Sequence, residues 1–177
     1  MNSPIDTKYN KSTVSQWLDG MADSIFEQLQ QGPTPALIGI RRGGVDVGRY
    51  LYDALANKGV AFDAPLGELN IAFYRDDFSS MGLHPVVGPS HVPFDVTGRH
   101  IVLIDDVLGT GRTIRAAMNE IFDYGRPAKI TLAVLAQRQD HELPIRADVI
   151  GQQIEVGAGQ YIDLDADSLE LRVGPKP

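Results

Sequence analysis

The chain contains no cysteine, which excludes both a disulfide frame and any thiolate metal site. No apolar run is long enough to cross a membrane, and no basic segment followed by an apolar one opens the chain as a secretory signal would. A cytoplasmic protein is therefore expected. Excess positive charge is also missing: the formal net charge is −7 and the sequence pI about 5.0, which argues against a generally sticky nucleic-acid binder while leaving room for a local basic face. His84, His91, His100 and His141 are scattered without metal-ligand spacing, and His141 reads as a surface residue. There is no internal repeat and no low-complexity block. What is present is enough apolar content, 43% of 177 residues, to bury one sizeable core. The expected organisation is a loose N-terminal arm over residues 1–11 and a single domain over 12–177.

The most informative stretch runs from Ile101 to Thr113, IVLIDDVLGTGRT. Four consecutive apolar residues, Ile101 to Ile104, predict a strand buried on both faces of a parallel sheet. Asp105 and Asp106 follow directly, then the small-residue turn Gly109-Thr110-Gly111 and a helical pattern opening at Arg112. Such a turn can wrap a phosphate, because glycines permit close backbone approach, Thr110 and Thr113 add hydroxyls, and a helix N-terminus carries partial positive charge. A bare phosphate loop has no use for two carboxylates. Their presence points to a ligand that carries a polyol as well, with Mg²⁺ held through water. No Lys follows the second glycine, so this is not a Walker A loop, and the spacing is not that of GxGxxG. The whole string resembles the phosphoribosyl pyrophosphate (PRPP) signature of type I phosphoribosyltransferases.

Elsewhere the chain alternates strand and helix. Val14, Trp17, Leu18, Met21, Ile25, Phe26 and Leu29 recur at helical spacing, with Ser12 or Thr13 placed to cap the start and Gln31-Gly32-Pro33 to end it. Ala36 to Ile40 predicts a strand running into Arg41-Arg42-Gly43-Gly44, a second anion-friendly junction in which Arg matches paired phosphate oxygens. A helix follows, with Val45, Val47, Leu51, Leu55 and Ala56 inward. Glu68 to Tyr74 predicts a further strand, leading into Arg75-Asp76-Asp77 and then a long aperiodic segment over residues 78–93 that reads as a lid. The helix after the PRPP-like turn carries Ala116, Met118, Ile121 and Phe122 to a C-cap at Gly125. Ile130 to Ala136 is another buried strand, and the tail from Tyr161 to Val173 predicts edge strands.

Four segments together, IDDVLGTGRT, YRDD at Tyr74 to Asp77, YGRPAKITLAVLAQR at Tyr124 to Arg138 and LPIRADVIG at Leu143 to Gly151, resemble the PyrR family of uracil phosphoribosyltransferases. In many bacteria its members also bind pyrimidine-operon mRNA and attenuate transcription. The resemblance implies an α/β fold of the type I phosphoribosyltransferase class, a central, mostly parallel sheet flanked by helices with a small hood. It implies uracil and PRPP as substrates, UMP and pyrophosphate as products, and Mg²⁺ as cofactor. A homo-oligomer, dimer or higher, is expected, with no membrane partner. The roles carried over place Arg41, Arg42 and Gly43 on pyrophosphate and Asp105 and Asp106 on the ribose hydroxyls and, through them or water, Mg²⁺. They place Gly109, Thr110, Gly111, Arg112 and Thr113 around the 5′-phosphate and Val107 and Leu108 among the residues that bind PRPP and UMP, with Arg75 closing from the lid. Asp105, Asp106 and Arg42 would carry the catalysis. Base recognition falls to Arg138 facing a carbonyl and to the backbone of Val149 and Ile150.

The chain departs from its relatives at telling places. Purine phosphoribosyltransferases of this type carry an acid where Gly109 stands, and PyrR proteins commonly a Tyr. The diphosphate turn, normally Thr-Arg-Gly, here begins with Arg41. On the first helix Asp19, Gly20 and Asp23 occupy positions where RNA-binding members tend to carry Thr, Arg and His. Lost phosphate contacts weaken RNA affinity, so RNA remains a possible partner, weakened by an acidic helix. The alternatives to the enzyme reading are an RNA-binding attenuator, a nucleotide sensor with little turnover, and a phosphoribosyltransferase for another base.

Overall fold

The computed structural model describes residues 6–71 and 88–175. The YRDD stretch with Arg75, and residues 78–87 of the lid expected over 78–93, lie outside the described residues.

The chain enters through a short strand, β1 (Thr7–Tyr9), and the helix α1 (Lys11–Leu29). The cap of α1 is Asn10 rather than Ser12 or Thr13: its side-chain oxygen accepts from the Thr13 backbone N–H at 3.0 Å and from the Thr13 hydroxyl at 3.1 Å. Val14, Leu18, Met21, Ala22 and Ile25 are fully buried along one stripe at the three- and four-residue spacing of an amphipathic helix. Each large side chain among them stabilises the fold by about 1.5–3 kcal/mol. Trp17 is half-buried, its ring 4.9 Å from that of Tyr9.

Five parallel strands follow: β2 (Pro35–Ile40), β3 (Gly67–Leu69), β4 (His100–Leu108), β5 (Lys129–Gln137) and β6 (Val149–Gln153), in the spatial order β3-β2-β4-β5-β6. The helix α2 (Gly43–Asn57) lies between β2 and β3 in the chain, and α3 (Arg112–Tyr124) between β4 and β5. The sheet is buried on both sides, which is why its strands read as unbroken apolar runs. Val102 and Ile104 of β4 join the core with α1 and α2, whereas Ile101 and Leu103 join the core on the α3 side, the two-residue alternation of a strand. Ala56, expected inward, is exposed, as is Phe122 at 54%. α3 meets the sheet instead through Ile114, Ala116, Ala117 and Ile121.

The last two strands, β7 (Gln160–Asp165) and β8 (Glu170–Pro175), are not edges of this sheet. They form an antiparallel hairpin to which β1 adds, giving a separate three-stranded sheet β1-β8-β7. Residues 7–9 of the expected arm are thus a paired strand, with Thr7 opposite Val173. Leu171 and Val173 anchor this small sheet in the core shared by α1 and α2. The strand expected over Glu68 to Tyr74 is assigned only over Gly67–Leu69 in the described residues.

Candidate active site

The strand order decides where a ligand can sit. From β2 the chain moves outward to β3, then crosses back over β2 to β4 and continues to β5 and β6 on the other side. The direction therefore reverses between β2 and β4, and in open parallel sheets ligands bind beyond the carboxyl ends of the strands at such a point. Both anion-friendly junctions lie there: Arg41 to Gly44 after β2, and Asp105 to Thr113 at the end of β4.

The two junctions are in contact. A Cβ added at Gly43 would collide with the Asp106 carboxylate, and one at Gly44 would stand 2.5 Å from the Ile104 carbonyl oxygen and 2.9 Å from Asp105 Cα. Paired glycines at this position let the N-terminus of α2 press against the edge of β4. The Arg41–Arg42 peptide bond is cis. Asp105 is only 3% exposed, and its Oδ1 accepts from the Asp106 backbone N–H at 2.9 Å. Asp106, half-buried, accepts from the Val107 N–H at 2.9 Å in the same way. Each carboxylate is thereby stitched to the residue after it.

The arginines divide. Arg41 donates from Nε and Nη2 to one Glu68 oxygen at 2.9 and 2.8 Å, and its backbone N–H donates to the Leu69 carbonyl at 2.9 Å. Arg42 is exposed and makes no ion pair among the described residues. Arg49, nearly two turns into α2, bridges Asp46 and Glu68 at 3.4 and 3.5 Å. Burial raises the pKa of the Asp46 carboxyl, Arg49 lowers it, and the neighbouring negative charges of Asp106, Asp167 and Glu68 raise it further.

The turn after β4 is braced from behind by the β5–β6 connection. The N–H groups of Glu142 and Leu143 both donate to the Thr110 carbonyl at 3.0 Å, and His141 Nδ1 lies 2.8 Å from the Gly109 carbonyl. Because N–H and C=O of a trans peptide point oppositely, the amides of Thr110 and Gly111 are directed away from this brace. Gly111 is left-handed, φ +96°, and opens α3; a side chain there would also crowd Leu143 and Ile145. Arg112 donates from Nε and Nη2 to Glu142 at 3.0 and 2.7 Å.

Arg138 follows β5 directly, and its stem lies over Gly109, where an added Cβ would be 3.6 Å from Arg138 Cδ. Asp140 accepts from its Nε at 2.8 Å and from Nη2, a bidentate clamp that fixes the guanidinium plane. Beside it a groove of about 500 Å³ is lined by Gln137, Arg138, His141, Arg146, Gln153 and Glu155. Val149 and Ile150 are not level with this groove. They pair with Ala133 and Val134 at the start of β6, whereas the residues level with Leu108 are Gln137 and, next to it, Gln153. The offset is three residues for Ile150 and four for Val149, about 10 and 13 Å at the usual rise of a strand. Val149 and Ile150, expected to read a base through their backbone, are therefore set back along the sheet from Gln137 and Gln153. Glu68, Asp140, His141 and Glu142 were not marked as site residues by sequence. For the last three the local signal was the high charge density between Arg138 and Arg146.

Among the described residues no group of three side chains could hold a metal ion by itself. Two adjacent carboxylates at the strand end do fit a Mg²⁺ that keeps several waters and takes its remaining oxygens from a substrate. Among the described residues no helix is long and apolar enough to cross a membrane.

Comparisons with known proteins agree with this geometry. The family model described as a phosphoribosyl transferase domain matches residues 9–166. A bifunctional protein PyrR from Nitrosococcus oceani is 54% identical over 145 residues, 81% of this chain and 80% of that protein. Its counterpart from Pseudomonas fluorescens is also 54% identical, over 141 residues, 78% of this chain and 81% of that one. Among solved structures, a hypoxanthine-guanine-xanthine phosphoribosyltransferase superposes with a TM-score of 0.66 at 18% identity, covering 95% of this chain and 92% of that one. A purine phosphoribosyltransferase from Pyrococcus horikoshii superposes at 0.61 with 24% identity, covering 82% and 86%. At such identities the structures speak for the fold alone. With its type I phosphoribosyltransferase architecture and this level of identity to curated relatives, the chain belongs to the PyrR family.

Proposed function

We propose that this protein is a uracil phosphoribosyltransferase, joining uracil to PRPP to give UMP and pyrophosphate. The observation that carries the reading is the convergence at one switch point of two anion-binding turns, a carboxylate pair and a groove beside the clamped Arg138. Breaking the anomeric C–O bond leaves positive charge on the ribose and negative charge on the departing diphosphate. Arg42, exposed at the N-terminus of α2 without an ion-pair partner among the described residues, grips the diphosphate. Arg41 starts from its pair with Glu68 and would have to leave it to join. Arg75 is assigned to closure over the diphosphate. Asp105 and Asp106 hold the ribose hydroxyls, and the turn from Gly109 to Thr113 takes the 5′-phosphate on its outward amides. Phosphoribosyltransferases generally use Mg²⁺ with PRPP; here it would be held at Asp105 and Asp106 through water or the ribose, supplying Lewis-acid neutralisation of diphosphate charge. Gly109 offers no acid for proton transfer to a purine ring nitrogen, which favours a pyrimidine. PRPP and uracil are both intracellular, consistent with a cytoplasmic location. An assay across uracil, orotate, hypoxanthine and guanine should show turnover with uracil; faster turnover of a purine would refute the assignment.

A regulatory role through mRNA, responsive to UMP, is the second reading, favoured by the bifunctional name of the relatives. The α1 face argues for weak RNA affinity. Asp19 and Asp23 are exposed; Asp19 accepts from the Tyr50 hydroxyl at 2.9 Å and Asp23 pairs with Lys58 at 2.5 Å. Lys58 offsets part of this negative charge without creating a basic face. Tight, UMP-enhanced binding of an operon leader at physiological salt in a gel shift would restore full dual function. Assembly into a homo-oligomer is proposed as well, and light scattering reads it directly.

A further inference from the structure

We infer that His141 is the uracil-selecting residue of the groove, accepting the base's ring N–H at its Nε2; the inference rests on the uracil phosphoribosyltransferase reading above. The carbonyl of Gly109 can only accept, so the 2.8 Å contact with His141 Nδ1 places the ring proton on Nδ1. In the neutral imidazole the lone pair then belongs to Nε2. His141 is half-buried, lines the groove with Arg138, and has no other hydrogen-bond partner among the described residues. Arg138 is held by Asp140 through Nε and Nη2, which leaves the Nη1 edge of the guanidinium as a donor of fixed orientation.

A donor and an acceptor lining one groove match one edge of uracil, where a carbonyl adjoins the N3–H. Arg138 Nη1 serves the carbonyl and His141 Nε2 accepts from N3–H. Cytosine carries no proton at N3, so two lone pairs would face each other and the base would be rejected. The same bond to Gly109 makes His141 part of the brace behind the phosphate turn, coupling the base pocket to the PRPP pocket. The charged groups around the imidazole are the Arg138–Asp140 pair on its own loop, the Arg112–Glu142 pair at the start of α3, Arg146, whose Nη1 donates to the Ile145 carbonyl at 2.9 Å, and Glu155 beyond β6.

Steady-state kinetics with uracil and with PRPP on the wild type, His141→Asn and His141→Gln test this. An Asn amide stands in for Nδ1 and keeps the bond to Gly109, while a Gln oxygen stands in for Nε2. His141→Asn should raise KM for uracil at least about tenfold with KM for PRPP level, and His141→Gln should recover part of the affinity. An unchanged uracil KM in His141→Asn would overturn the inference, as would a loss confined to PRPP, which marks a brace and nothing more. Absence of uracil turnover in the wild type would overturn the activity itself and this role with it.

Discussion

Replacing Gly44 by Ala tests whether the contact between α2 and β4 sets the geometry of the PRPP site. The new methyl would lie 2.5 Å from the Ile104 carbonyl oxygen and 2.9 Å from Asp105 Cα, whereas ordinary contact begins at 3.4 Å. Both neighbours are backbone and cannot rotate aside, so α2 must retreat by about 0.9 Å, a shift of the size that costs about 100-fold when it misplaces reacting groups. Overpacking of this kind costs about 1–3 kcal/mol, and the upper end applies because the obstacle is main chain. With a urea slope of about 2 kcal/mol per M, the unfolding midpoint should fall by about 1.5 M. Gly20→Ala is the matched control. Gly20 is also a helical glycine, but nothing lies within 4 Å of its would-be Cβ, so alanine should stabilise the protein by about 0.5–1 kcal/mol through helix propensity and leave kinetics alone. Urea unfolding followed by uracil phosphoribosyltransferase kinetics on both variants decides the matter. A Gly44→Ala protein that is destabilised yet turns over normally would show that the α2–β4 contact does not set the site, and an unshifted midpoint would refute the steric argument altogether.

Asp106→Ala should lower kcat/KM by about 100-fold or more while keeping the fold, because the ribose loses a fixed carboxylate partner; unchanged kinetics would remove Asp106 from the site. His100, 2% exposed, lies 2.8 Å from the Thr131 hydroxyl, which itself donates to Gln28, so the imidazole donates from Nε2. Burial chiefly, and Lys129 next, hold its pKa below the usual histidine value. The unfolded chain therefore protonates first: the contribution is intact above about pH 6.5 and is lost as pH falls toward the depressed native value. Urea midpoints at pH 7.5 and 5.5 should differ in the wild type and differ less in His100→Gln. Asn10→Ala should cost about 1 kcal/mol by removing the cap of α1, a loss that thermal unfolding would register and that uracil kinetics would not.

Local sequence spoke clearly wherever a single segment had to satisfy its own chemistry. A strand buried on both faces must be apolar throughout, so β4 was legible from Ile101 to Ile104, and α1 from the spacing of Val14, Leu18, Met21 and Ile25. The PRPP-like turn was legible because Gly111 must be left-handed and the anion must meet backbone amides, requirements met by adjacent residues. What only the tertiary structure decided involves partners far apart in the chain. Arg41 and Glu68 are 27 residues apart and Gly109 and His141 are 32 apart, and neither pair has a local pattern that announces it. β1 looked like a loose arm because three residues gain strand character only by pairing with β8 at the other end of the chain. The composition of Val149 and Ile150 likewise marks a strand, but the register that sets them about 13 and 10 Å back from Gln153 comes from hydrogen bonding to β5 and cannot be read from β6 alone.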